Sequence, residues 1–156
     1  MGSVWPDCDV YATGTYEVED LDGDGKDDVI YKTYVGGDGT TETHVMLQRK
    51  SMKFVEAASC LTCHPSADVA ADGTRLLITQ DDCCCILSIG VQRFEGDSTA
   101  AVVAWQVPSS CHADPAEVTS ITFTRDAKQR ITGAEHTRAD GKTERFRWRN
   151  KTFEKR

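Results

Sequence analysis

The stretch VIYKTYVGGDGTTETHVMLQ, residues 29–48, decides the fold class. Its two ends are rich in β-branched and aromatic residues that alternate with polar ones, which is the period of two shown by half-buried strands. Between the two ends, Gly36-Gly37-Asp38-Gly39 predicts a tight connection. We therefore predict a β-hairpin of two strands, Val29–Val35 and Thr41–Gln48.

The same alternation continues along the chain and predicts an all-β protein. We expect mainly an antiparallel meander, folded into a sandwich or a small barrel-like sheet, with at most one short helical turn. The further predicted strands are Val10–Val18, Lys53–Ala57, Thr74–Thr79, Cys84–Phe94, Thr99–Val107, Val118–Arg125, Arg130–Thr137, Thr143–Arg149 and Thr152–Lys155. A loop from Ser59 to Gly73 is predicted to carry the helical turn, at Ser66–Ala71. The nearly continuous apolar run Ala101–Val107 predicts a central strand that is covered on both faces.

Length and charge limit the possible function classes. The 156 residues suit a single β-rich domain, residues 1–156, without a repeat of fixed period. No stretch approaches the roughly 18 apolar residues of a membrane helix, so we expect no transmembrane segment. The net charge of −7 argues against nucleic acid as a partner, because phosphate binding needs clustered positive charge. Basic residues outnumber acidic ones from Arg125 onward, and their spacing favours the exposed faces of strands.

The first residues bear on the compartment. Met1 to Trp5 lack the basic and apolar regions of a signal peptide, so none is expected in this chain. Met-Gly-Ser is also typical of an added expression sequence. We therefore expect that a natural leader has been removed.

An acidic loop precedes the hairpin: residues 20–28 read DLDGDGKDD. Calcium is a hard cation that takes about six to eight oxygen ligands, and alternate carboxylates along a tight turn supply them. Gly25 permits the sharp bend that lets the chain wrap around an ion. Without a cation, the five carboxylates of this loop would repel one another. The predicted ligands are Asp20, Asp22, Asp24, Asp28 and the main-chain carbonyl of Lys26.

The acidic loop departs from an EF-hand. Its twelfth position is Tyr31 where a glutamate is required, and a β run follows it where a helix would follow. Residues 15–35 instead resemble the DxDxDGxxD loops of the FG-GAP (integrin α-like) and VCBS repeats, in which a calcium loop leads into a strand. The resemblance implies the same calcium ligands. Those families repeat the motif around a propeller, whereas this chain has it once, so we do not expect a propeller.

The seven cysteines are a second feature of the sequence. Cys60-Leu61-Thr62-Cys63-His64 matches the C-x-x-C-H signature and resembles the haem attachment motif of c-type cytochromes. The resemblance implies bonds from both thiols to haem c, with His64 as the proximal iron ligand. The candidates for the sixth iron ligand are His44, Met46, Met52, His112 and His136.

Two other interpretations of the cysteines are open. An oxidising compartment favours disulfides, and because seven is odd, one thiol at least would be left free. A reducing compartment favours a zinc or copper site. The disulfide interpretation uses the cysteines Cys60, Cys63, Cys83, Cys84, Cys85 and Cys111, with Cys8 as a further candidate. The metal interpretation uses the same cluster of cysteines and adds His64 and His112.

Together these features favour a secreted or periplasmic, disulfide-stabilised calcium-binding module. We expect it to be non-enzymatic and to recognise an unidentified protein or surface ligand. The alternatives are a c-type haem electron-transfer protein and a cysteine-rich zinc- or copper-binding protein. The sequence lacks G-x-S-x-G, H-E-x-x-H and a phosphate-binding glycine loop, so no catalytic residues are predicted.

Overall fold

The computed structural model describes residues 14–35, 40–83, 86–108, 120–138 and 140–156. Within these ranges the regular elements are strands, apart from one 3₁₀ turn at Lys50–Met52. No helix there is long and apolar enough to cross a membrane. In chain order the strands are β1 Tyr16–Glu19, β2 Asp28–Tyr34, β3 Thr41–Gln48, β4 Phe54–Leu61, β5 Cys63–Val69, β6 Arg75–Cys83, β7 Ile86–Glu95, β8 Ser98–Pro108, β9 Ser120–Arg125, β10 Ile131–Thr137, β11 Thr143–Arg149 and β12 Thr152–Lys155.

Consecutive strands pair in antiparallel fashion and form three four-stranded sheets in the described part of the chain. Sheet A contains β1 to β4, sheet B contains β5 to β8, and sheet C contains β9 to β12, each in chain order. The all-β antiparallel meander predicted from the sequence is therefore confirmed. Among the described residues the first and last strands of a sheet do not pair with each other, so each sheet is open. The predicted hairpin is formed by β2 and β3, and its connecting residues 36–39 lie outside the described part.

Sheet B lies between the other two sheets. Three consecutive residues of its strand β6 are buried: Leu76, Leu77 and Ile78. Because successive side chains of a strand point to opposite faces, both faces of sheet B must be covered here. Leu77 packs with Leu47 of sheet A, whereas Leu76 and Ile78 pack with Trp148 of sheet C. Burying a side chain of this size stabilises a protein by about 1.5–3 kcal/mol. The two faces of sheet B therefore contribute to two core clusters, one shared with sheet A and one shared with sheet C.

The prediction of a loop from Ser59 to Gly73 is wrong for most of these residues. β4 continues to Leu61, and β5 occupies Cys63–Val69, so most of the helical turn predicted at Ser66–Ala71 is extended strand. β5 is an edge strand of sheet B, where the missing N–H of Pro65 is tolerated. The central cysteine-rich loop is therefore a junction between two strands.

The strand predicted to be central is also placed differently. Ala101–Val107 lies in β8, at the edge of sheet B. Ala101 and Ala104 are exposed, while Trp105 is buried against sheet C. The alanines make the run look uniformly apolar, although its two faces have different surroundings. The strand that is covered on both faces is β6.

In each sheet the chain turns between the first and second strands. The connection is residues 20–27 in sheet A, 70–74 in sheet B and 126–130 in sheet C. The connection of sheet B forms a bridge to sheet C through Ala70 and Ile131. At the start of β6, the Arg75 side chain lies so close to Gly23 that a Cβ added there would be 2.6 Å from Arg75 Nε. The acidic loop therefore lies at the edge where sheet A meets sheet B.

Candidate metal centre

Backbone N–H groups of the acidic loop donate hydrogen bonds to the side chain at its start. The Asp20 carboxylate accepts hydrogen bonds from Gly23 N (2.8 Å) and Gly25 N (3.2 Å). Both glycines have positive φ, 81° and 83°, a conformation that costs residues with a Cβ energy. The glycines at alternate positions thus allow a tight turn that holds the Asp20 side chain inside the loop.

Asp28, the first residue of β2, forms the floor of the loop. Its side chain is fully buried and accepts hydrogen bonds from the backbone N–H groups of Leu21 (2.8 Å) and Gln48 (2.8 Å). Burial raises the pKa of the Asp28 carboxyl, and the two N–H groups oppose this rise only in part. A cation beside Asp28 would offset the cost of burying its charge.

Asp22 connects the loop to the guanidinium group of Arg49. Its Oδ1 accepts a hydrogen bond from Asp24 N (3.1 Å), and its Oδ2 accepts one from Arg49 Nη1 (2.8 Å). Arg49 follows β3 and also donates to Asp97 Oδ1 (2.6 Å) and Gly96 O (2.5 Å), in the turn between β7 and β8. Arg49 therefore links the acidic loop of sheet A to sheet B.

Three carboxylates converge at the centre of the loop. One oxygen from each of Asp20, Asp22 and Asp28 lies within 4.8 Å of the others, and the described residues contain no other group of three or more acidic, histidine or cysteine ligand atoms this close. At that separation two carboxylates repel by about 1 kcal/mol in bulk water and by about 3.5 kcal/mol near a protein surface. Arg49 pairs with Asp22 and offsets part of this repulsion. A divalent cation would offset the rest and would find the oxygen ligands that hard cations prefer.

The other two predicted ligands are not part of this group. The Asp24 carboxylate pairs with Lys26 Nζ and accepts a hydrogen bond from Lys26 N (3.0 Å), and this pairing lowers the pKa of Asp24. Arg49 Nη1 lies 3.6 Å from the same carboxylate. Asp24 thus has two cations of the protein beside it. The Lys26 carbonyl stays a predicted ligand.

The cysteines predicted to bind haem, a soft metal or one another are only partly described. Cys60, near the end of β4, and Cys63, at the start of β5, are joined by a disulfide with Cα atoms 5.9 Å apart. Because both sulfurs are used in this bond, neither is free for haem or a metal in this state, and those two alternatives stay predictions for the reduced protein. Cys83 ends β6. The remaining candidates lie outside the described residues: Cys8, Cys84, Cys85, Cys111 and His112.

No family model matches the chain. No curated protein and no solved structure matches it either. The resemblance to FG-GAP and VCBS repeats therefore rests on the acidic loop and on its lead into β2.

Sequence reasoning missed Arg49 as a residue of the site. Its partners are distant in the sequence, Asp22 by 27 residues and Asp97 by 48, so no local pattern could reveal them.

His44, one of the candidates for the sixth iron ligand, has contacts that also depend on the tertiary fold. Its ring stacks on Tyr31 with centroids 4.6 Å apart, and its Nδ1 lies 2.8 Å from Glu56 Oε2.

The other predicted histidines also have polar neighbours. His64 Nδ1 lies 3.2 Å from Lys32 Nζ, and His136 Nδ1 lies 3.8 Å from Glu144 Oε2. His44 belongs to sheet A and His136 to sheet C, on opposite sides of sheet B. These two histidines are alternatives for the single position of the sixth iron ligand, and that prediction is not tested by their separation.

Proposed function

We propose that this protein is a calcium-binding β module in which one ion, held by the acidic loop, fixes the junction of sheets A and B. The observation that carries the proposal is the convergence of Asp20, Asp22 and Asp28 within 4.8 Å. The proposed ligand set also includes Asp24 and the Lys26 carbonyl, as the loop resemblance implies. Oxygen ligands alone favour a hard cation, and Ca²⁺ tolerates the irregular geometry of a loop better than Mg²⁺ does.

The proposed role of the ion is structural, because the loop also contributes to the core. Leu21, between two of the ligands, is fully buried and packs with Ile30 and Leu47 of sheet A and Leu77 of sheet B. Fixing the loop would therefore fix a core residue at the contact of the two sheets. An ion bound by Asp22 would compete with Arg49 for the same carboxylate, so we propose a site of modest affinity.

We propose that the protein works outside the cytoplasm, as a secreted or periplasmic, non-enzymatic module for binding an unidentified protein or surface ligand. The Cys60–Cys63 disulfide supports this location, because disulfides persist in oxidising compartments. Calcium sites of extracellular modules have dissociation constants of about 0.1–1 mM. A modest site of this kind would be filled there and not in the cytosol.

Calorimetric titration of chelator-treated protein with Ca²⁺ tests the proposal. We expect one ion per chain, with a dissociation constant of about 0.1–1 mM. Binding should also raise the melting temperature, because about 100-fold excess over the dissociation constant stabilises the folded state by about 2.7 kcal/mol. The Asp22→Asn variant should bind at least about tenfold more weakly, since it removes one of the converging charges.

Asp140→Asn is the matched control for this experiment. Asp140 also lies in a turn, where its carboxylate accepts a hydrogen bond from Lys142 N (3.0 Å) and pairs with Lys142 Nζ (3.5 Å). The variant makes the same change of charge away from the acidic loop, so it should bind calcium as the parent does. A parent protein that shows neither heat nor a change in melting temperature with Ca²⁺ would contradict the proposal. So would an Asp22→Asn variant that binds as tightly as the Asp140→Asn control.

A further inference from the structure

The disulfide between Cys60 and Cys63 lies where the chain passes from sheet A to sheet B. Cys60 is the next-to-last residue of β4, and Cys63 is the first residue of β5. We propose that this bridge is a thiol-exchange site, at which an external thiol of the glutathione class attacks Cys60 and becomes attached to it reversibly. The bridge would then be a modification site and not only a structural link.

The fold gains little rigidity from this bridge, because the bridge closes a ring of only four residues. The stabilisation expected from restricting the unfolded chain increases with ring size, so a ring this short contributes little. Hydrogen bonds already hold the junction. Thr62 N donates to Thr41 O (2.7 Å), and Thr43 Oγ1 donates to Cys63 O (3.2 Å). We therefore expect β4 and β5 to keep their positions when the two sulfurs separate, so that only the backbone of the residue between them, Thr62, is released.

The residue inside the ring is strained. Thr62 has φ of 52°, in the left-handed region that β-branched residues rarely adopt. Opening the ring would let Thr62 relax, so this strain works against the bridge. Strained and exposed disulfides are the ones that exchange with external thiols.

The two sulfurs differ in their accessibility. Cys63 is buried, with 1% of its surface exposed, whereas Cys60 is partly exposed. We therefore expect an external thiolate to reach the Cys60 side of the bridge more readily than the Cys63 side.

The exchange proceeds in two balanced steps. In the first, the external thiolate forms a bond to Cys60 Sγ while the Cys60–Cys63 bond breaks, and Cys63 leaves as a thiolate that takes up the proton released by the external thiol. In the second, another external thiolate attacks the external sulfur of the mixed disulfide, and Cys60 leaves and is protonated in turn. Two external thiols are oxidised to one disulfide, and the bridge is reduced to two thiols.

The test uses the full oxidised chain, incubated with reduced glutathione, quenched with acid and alkylated. Trypsin releases residues 54–75 as one peptide whose only cysteines are Cys60 and Cys63, so its mass separates the bridge, the mixed disulfide and the dithiol. We expect a glutathione adduct on Cys60, located by fragmentation, while the circular dichroism of the strands is unchanged. A bridge that opens only as the protein unfolds, or an adduct on Cys63, would overturn the proposal.

Single-cysteine variants test the direction of attack. Cys63→Ser leaves Cys60 as the free thiol, and Cys60→Ser leaves Cys63. With oxidised glutathione, we expect Cys60 in the first variant to be modified at least tenfold faster than Cys63 in the second. Equal rates would show that burial does not direct the attack, and the assignment of Cys60 would be lost.

Thr62→Gly tests the strain, because glycine adopts positive φ without the cost paid by threonine. We expect the equilibrium constant for reduction of the bridge by dithiothreitol to fall about fivefold in this variant. Leu61→Ala, which leaves the strained residue in place, is the control and should keep the parent constant. An unchanged constant in Thr62→Gly would remove strain as the cause of exchange and would overturn that part of the proposal.

Discussion

Sheets A and C turn the chain between their first and second strands in different ways. In sheet C one carboxylate is sufficient: Asp126 accepts hydrogen bonds from Lys128 N (2.8 Å) and Arg130 N (2.9 Å) and pairs with the Arg130 guanidinium. In sheet A the corresponding connection begins with Asp20, whose carboxylate accepts hydrogen bonds from two N–H groups of the turn. Asp22, Asp24 and Asp28 accept further backbone hydrogen bonds there. The sheet C turn shows that one such carboxylate can organise a connection. The further acidic residues of sheet A add hydrogen bonds, but they also add negative charge that the sheet C turn does not carry.

The difference lies in where the positive charge comes from. Asp126 has its counter-charge four residues along the chain, so the sheet C turn is neutralised locally. The acidic loop contains five aspartates and one lysine, and the other cations beside it come from distant parts of the chain: Arg49, which follows β3, and Arg75, at the start of β6. A turn that carries more negative charge than its fold can neutralise is suited to an external cation. Four changes test this contrast.

The largest effect is expected for Asp28→Ala, compared with Asp126→Ala. Removing the Asp28 carboxylate leaves the Leu21 and Gln48 N–H groups without their acceptor, at least one of them buried, and should lower the free energy of unfolding by about 2–4 kcal/mol. Asp126→Ala opens N–H groups to water at an exposed turn and should cost clearly less. Urea denaturation in the presence of a chelator measures both without interference from metal. Equal losses would contradict the contrast.

Gly23→Ala should have the next largest effect. The variant places a Cβ at positive φ and 2.6 Å from Arg75 Nε, so it should lose about 1–2 kcal/mol, and the flexible end of Arg75 must also shift. Gly25→Ala in the same loop and Gly141→Ala in sheet C also require positive φ but have open space around the added Cβ. Each of these controls should lose about 1 kcal/mol. Thermal unfolding gives the order, and a Gly23→Ala loss no larger than that of Gly25→Ala would show that Arg75 moves away at no cost.

Arg49→Gln should have two opposite effects. The metal-free protein should lose about 1 kcal/mol, because Arg49 joins Asp22 to Asp97 and Gly96 across sheets A and B. Calcium affinity should rise, because the ion no longer competes with Arg49 for Asp22. Arg125→Gln is the counterpart between sheets B and C, where Arg125 pairs with Asp68 (Nη2 to Oδ2, 2.5 Å). It should lower stability and leave calcium affinity unchanged, and a parallel fall of affinity in both variants would count against the competition.

The smallest effect is expected for Asp126→Asn, and it depends on pH. The Arg130 N–H, followed by the Arg130 guanidinium, lowers the pKa of Asp126 in the folded protein. A lowered pKa means that the ionised form stabilises the fold above the unfolded pKa of about 3.9 and that this contribution is lost as pH falls through the folded pKa. Chelator-treated Asp126→Asn should therefore lose less stability than the parent between about pH 4 and pH 2. Acid unfolding followed by circular dichroism measures this, and parallel curves would contradict it.

Local patterns in the sequence predicted a large part of this fold. The strands Thr41–Gln48, Thr143–Arg149 and Thr152–Lys155 are confirmed as predicted, because alternation and turn residues there agree with the tertiary packing. The strand β5 was missed because Pro65 and its polar neighbours resemble a loop, and only its position at the edge of sheet B makes them tolerable as a strand. The three sheets of the described residues share one arrangement of four consecutive strands, but the sequence shows no repeat of fixed period from which this could be predicted.

The sequence identified the acidic loop of the candidate site but not the contacts that its side chains make. The spacing of acidic residues around Gly25 identifies the loop, and the structure brings Asp20, Asp22 and Asp28 together. The pairing of Asp24 with Lys26 competes with an ion and could not be weighed from the sequence, because it depends on the direction of both side chains. The contact of Arg49 depends on the packing of sheet A on sheet B, which no local pattern records.

The sequential order of the strands has a consequence for folding during synthesis. Each strand pairs with its neighbour in the chain, so a sheet can assemble as soon as its own four strands have left the ribosome, and such local pairing favours rapid folding. The inner face of sheet A, with Ile30, Val45 and Leu47, is nevertheless not fully covered until Leu77 and Phe94 have been made. For that interval the nascent chain exposes an apolar surface next to an acidic turn. The negative charge of the turn would keep this unfinished intermediate soluble.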